Sequence, residues 1–104
     1  MNKFDNFVML TICEVSFKRF NESNYTSFPN YCIGLGYAIR GGNPSSRERV
    51  DLSEIAIMLE KIYGFAFEES GRYITLFFNL DVTRFRDFEN IVRGSMEFYP
   101  KSLN

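Results

Sequence analysis

The chain contains no histidine and no tryptophan among its 104 residues. Without imidazole, the Ser-His-Asp and Cys-His mechanisms, histidine metal ligation and imidazole proton relays are all excluded. Only two cysteines are present, Cys13 and Cys32, too few without histidine for a structural zinc site. Both stand in apolar runs, where a thiol serves as a small buried hydrophobe. So sparse a cysteine content fits a reducing compartment. A basic excess is missing too: 12 Lys and Arg against 13 Asp and Glu leave a net charge of −1. Neutralising phosphates supplies most nucleic-acid affinity, so this balance argues against a nucleic-acid partner. No apolar run reaches the roughly 20 residues of a membrane-spanning helix. The opening residues, MNKFDN, lack the basic-then-apolar order of a secretion signal. The expectation is a cytoplasmic protein that engages no membrane.

Aromatic side chains are abundant, with 12 Phe and 6 Tyr, and a length of 104 residues suits a single domain spanning 1–104. Phe carries a large apolar area with no hydrogen-bonding burden, so much of it should be core. Residues 7–17 (FVMLTICEVSF) are rich in β-branched and aromatic types, and Cys13, Val15 and Phe17 alternate with Glu14, Ser16 and Lys18. That alternation reads as a strand. Residues 18–30 read as a polar connection. Residues 31–39 form a second strand, with Tyr31, Ile33, Leu35, Tyr37 and Ile39 on one face and small residues on the other. The glycines Gly34 and Gly36 on that small face imply the close approach of a neighbouring element.

A helix is expected from Asp51 to Tyr63, with Asp51 as N-cap, Glu54 completing a capping box, and Gly64 at its C-terminal end. Its buried stripe is Leu52, Ile55, Ala56, Leu59, Ile62 and Tyr63. Residues 65–69 and 72–80 flank Ser70-Gly71 as a hairpin. A second helix begins near Asp81 or Thr83, with Val82, Phe85, Phe88, Val92, Met96 and Tyr99 inward. The expected fold is therefore α+β, in the order β-β-α-β-β-α, with one mainly antiparallel sheet packed by two helices.

No constellation of catalytic groups emerges, and no cofactor is expected. Glu68 and Glu69 are adjacent, and on a strand they would point to opposite faces, unable to act as a pair. The loop 41–49 (GGNPSSRER) could cradle an anion before a helix, although no P-loop lysine follows. Ile57 lies about 160° from the centre of the first helix's buried stripe, which marks it as a contact for a partner or a second copy. The mixed outer face of the hairpin (Ala66, Glu68, Tyr73, Thr75 and Phe77) suits a protein interface.

Residues 30–39 (NYCIGLGYAI), the Gly-rich loop after them, and residues 71–76 (GRYITL) before an Asp-initiated helix resemble a known pattern. Over about half the chain it is similar to the small immunity proteins of bacterial polymorphic-toxin and contact-dependent growth-inhibition systems. The resemblance implies an inhibitor that covers the active site of a cognate toxin. A nuclease toxin presents a basic cleft, for which Glu14, Glu22, Glu68, Glu69 and Asp81 are candidate contacts, with Ile57 and Tyr73 as apolar ones. Two other functions stay open: a small-molecule or nucleotide-binding enzyme using loop 41–49, and a phage or plasmid factor that inhibits a host system.

Overall fold

A computed structural model describes the backbone of residues 3–79 and the side chains of residues 7–79. Four helices run through it: α1 (Lys3–Asn21), α2 (Phe28–Ile39), α3 (Ser46–Tyr63) and α4 (Phe67–Phe78). Each touches the other three. There is no strand among the described residues, so the expected sheet is overturned. The second expected helix, from Asp81 onward, lies outside the described residues.

Helix α1 replaces the first strand because it is the central element. Every residue from Val8 to Phe17 is buried except Leu10, which is half-buried. A helix buried all round carries apolar residues on every side, which erases the 3.6-residue rhythm and leaves chance alternation. Two hydroxyls inside it are satisfied locally. Thr11 Oγ1 donates to the Phe7 carbonyl at 2.9 Å and Ser16 Oγ to the Ile12 carbonyl at 2.6 Å.

Helix α2 begins where sequence reading placed a loop. Ser27 is its N-cap, accepting from the Asn30 amide at 3.3 Å, and Pro29 sits in the first turn, where its missing N–H costs nothing. Phe28, Tyr31, Cys32 and Leu35 face inward. Tyr31 and Phe28 join Phe17 and Phe20 in a cluster with ring centroids 5.4–6.4 Å apart.

Helix α3 starts at Ser46, five residues before the expected Asp51. Ser45 is the N-cap and forms a full capping box with Glu48. Its end is as expected: Gly64 adopts a left-handed conformation at φ 71° and its amide bonds the Glu60 carbonyl at 2.8 Å.

Helix α4 runs straight through the proposed Ser70-Gly71 turn. Ile74, Phe77 and Phe78 are buried on one side while Leu76 is exposed on the other, a 3.6-residue pattern rather than the alternation of a strand; Phe67, at the same angle as Ile74 but at the first position of the helix, is exposed. A Cβ added at Gly71 would meet nothing within 4 Å. Gly71→Ala is therefore expected to stabilise the protein by about 0.5–1 kcal/mol, the propensity gain of alanine over glycine in a helix. A loss of stability in urea unfolding would instead favour a turn at that position.

No helix of the described residues is long and apolar enough to cross a membrane.

Candidate functional site

One polar network lies where α1, α2 and α3 meet. Asp51, moved into the body of α3 by the earlier helix start, is fully buried on the same side as Ile55. A carboxylate placed there must be compensated, and three groups do so. Arg19 Nε of α1 donates to Oδ1 at 2.7 Å, the Tyr31 hydroxyl of α2 donates to Oδ2 at 2.8 Å, and Arg47 Nε lies 3.4 Å from Oδ1. Arg19 reaches outward as well: its Nη1 is 3.1 Å from Glu22 Oε2 and 3.1 Å from Glu54 Oε2.

The electrostatics follow from burial. Desolvation opposes the charge on Arg19, but the hydrogen bond to Asp51 and the surrounding carboxylates outweigh it and raise its pKa. Burial, and then the hydrogen bond to Asp51, push the Tyr31 phenol far above its usual 10.0. For Tyr25 the hydrogen bond to Glu48 raises the pKa first and burial second. A raised pKa means that the native state keeps a proton that the unfolded chain releases. The stabilisation from Tyr31 is thus present below pH 10 and drains away above it, by up to about 1.4 kcal/mol per pH unit. Urea titrations between neutral and strongly alkaline pH should show this decline, and Tyr31→Phe should make it shallower.

Beside the network, a cleft of about 490 Å³ is lined by Glu22, Ser23, Asn24, Tyr25, Ser45 and Arg47. Its polar groups are largely engaged with one another. Tyr25 donates to Glu48 Oε1 at 2.8 Å, Arg47 Nη2 to the Glu22 carbonyl at 3.1 Å, and Ser23 Oγ to the Phe20 carbonyl at 2.7 Å. Ser45 Oγ takes the Glu48 amide, one of the donors that an anion at the start of α3 would need. No group of three or more Cys, Asp or Glu among the described residues is placed to hold a metal.

The residues expected to meet a partner do not converge. Glu14 is buried in α1 and cannot be a surface contact. Glu22 is exposed and paired with Arg19. Ile57 is exposed on α3, on the side opposite Ile55 and Leu59, as the helical spacing implied. Glu68 is exposed and Glu69 half-buried in the first turn of α4, where neighbours are about 100° apart rather than on opposite faces. Tyr73 is half-buried, stacked on Phe65 at 5.2 Å with the rings 9° from parallel. The mixed outer face assigned to the hairpin dissolves, since Phe77 is fully buried. Asp81 lies outside the described residues.

Sequence reading missed Arg19 and Tyr31, placed Arg47 only in the candidate anion loop 41–49, and gave Asp51 the wrong task. The available signal was Ser45 followed three residues later by Glu48. Taken as the capping box, that pair places Asp51 on the apolar stripe and raises the question of its partner. Compared with protein families, with curated proteins and with solved structures, the chain matches none.

Proposed function

We propose that the chain is a non-enzymatic, cytoplasmic protein-binding inhibitor that covers a basic surface of its partner. The observation that carries this reading is Phe67, 85% exposed at the first position of α4 with the exposed carboxylate of Glu68 beside it. A phenyl ring left in water forgoes about 2 kcal/mol of burial. An aromatic anchor bordered by acidic groups suits an interface with a cationic protein, where the aromatic supplies affinity and the carboxylates steer approach. Glu68 and Glu69 are also well placed electrostatically at the start of a helix.

A toxin with a basic active-site cleft is the partner class implied by the resemblance to immunity proteins. The residues of that resemblance lie on α2 and α4, not on strands, so support for the proposal comes from the exposed turn alone. Nucleotide binding by loop 41–49 is less favoured, because Ser45 and Glu48 already cap each other there.

Co-expression with the product of the adjacent reading frame should yield an equimolar complex in which the partner's activity is lost. The double substitution Phe67→Ser with Glu68→Lys should weaken that complex by about 30-fold or more, as for a hot-spot contact. A complex indifferent to both changes, or no complex with any locally encoded protein, would sink the reading.

A further inference from the structure

We propose that the outer face of α3 is a self-association surface on which a second copy of this chain docks antiparallel, about a two-fold axis at Ile57. Ile57 is 49% exposed, and Val50, two turns earlier on the same ridge, is 47% exposed. Glu54 and Lys61 are both exposed and stand three residues before Ile57 and four after it. At 100° per residue the three side chains share a sector of about 60°. Along the axis, Glu54 lies about 4.5 Å to one side of Ile57 and Lys61 about 6 Å to the other.

That spacing is self-complementary in one orientation only. A two-fold axis at Ile57 sets Ile57 against Ile57 of the second copy. It also brings Glu54 to within about 1.5 Å of the axial level of Lys61 of the second copy, and symmetry repeats the pair. A parallel copy in register would set Glu54 on Glu54 and Lys61 on Lys61, which repels. Lys61 makes no ion pair among the described residues, and Glu54 spends only Oε2 on Arg19. One ridge of a helix of 18 residues is smaller than the roughly 800 Å² per partner of a standard interface. The association is accordingly weak, with a Kd of about 0.1–1 mM.

Sedimentation equilibrium of the full chain up to about 1 mM tests this. The expected result is a mass that rises from 12.2 kDa toward twice that value with concentration. Ile57→Asp should hold the chain at monomer mass, and Lys61→Glu should weaken association about tenfold, as loss of two weak ion pairs with new repulsion would. Helical circular dichroism equal to the parent's separates lost association from lost fold. Ile57→Cys supplies a second readout: on mild oxidation it should link two copies across the axis, while Cys13 and Cys32 stay buried. A monomer throughout, a dimer that Ile57→Asp leaves intact, or an Ile57→Cys chain that does not cross-link would overturn the proposal. Because this surface is on α3 and the proposed inhibitor contact is on α4, either can fail while the other stands.

Discussion

Replacing Asp51 by alanine is expected to cost about 3–5 kcal/mol of folding stability, the range found when one member of a buried ion pair is removed. The size follows from what is left behind. Arg19, with only 14% of its side chain exposed, loses its 2.7 Å partner, and the buried Tyr31 hydroxyl loses its acceptor, Asp51 Oδ2 at 2.8 Å. Arg47 suffers less, since 43% of its side chain reaches solvent. Set against a total stability of about 5–15 kcal/mol for a domain, such a loss would leave the protein marginal. Tyr31→Phe removes one hydrogen bond and should cost only about 1 kcal/mol. The order Asp51→Ala well above Tyr31→Phe, measured by urea unfolding at neutral pH, is the specific expectation. Equal losses would mean that the carboxylate is hydrated and that the network is not a buried one. Replacing Arg19, Tyr31 and Asp51 together by apolar residues of similar volume should cost far less than Asp51→Ala, because no charge is then stranded.

The same network explains why parts of the fold were legible in the sequence and parts were not. Helix α3 is half exposed, so its stripe of Ile55 and Leu59 and its terminal Gly64 stood out. Its start did not, because Ser45-Glu48 and Asp51-Glu54 offer the same capping pattern and only packing selects between them. Helix α1 is buried on nearly all sides from Val8 to Phe17, and its β-branched residues mimic a strand; tertiary burial overrides that local preference. Length was the telling clue, since a segment of eleven residues rich in apolar side chains exceeds an ordinary strand of about 4–8 residues. In α4, Ser70-Gly71 invited a turn, although Ile74, Phe77 and Phe78 carry helical spacing. Of the candidate site, Ile57 was legible because exposure of an aliphatic breaks a visible stripe. Asp51 was not, because its partners Arg19 and Tyr31 are 32 and 20 residues away.

The glycines of α2 were read correctly in one respect: something does come close. The visitor is the end of α4. A Cβ added at Gly36 would sit 2.7 Å from the Phe78 backbone carbonyl oxygen and 3.2 Å from Arg40 Nη1. The arginine can swing away, though at the expense of its 3.3 Å bond to Asn79 Oδ1. The carbonyl belongs to the last turn of α4 and cannot move unless the two helices separate. Helix propensity alone would favour alanine by about 1 kcal/mol. Against that, prising apart a well-packed contact costs about 1–3 kcal/mol. Gly36→Ala is therefore expected to destabilise the protein by about 1–2 kcal/mol net, and Gly36→Val by more. Gly34→Ala should be milder, because the 2.6 Å neighbour there is the hydroxyl end of the Tyr25 side chain, held by Glu48 but free to rotate aside. Together with the gain expected at Gly71, the three alanine substitutions span both signs within the four-helix arrangement of the described residues. Had Gly36 stood instead in a β-strand interior with room above it, alanine there would have stabilised. Unfolding measurements on this one variant therefore report directly on the α2–α4 crossing.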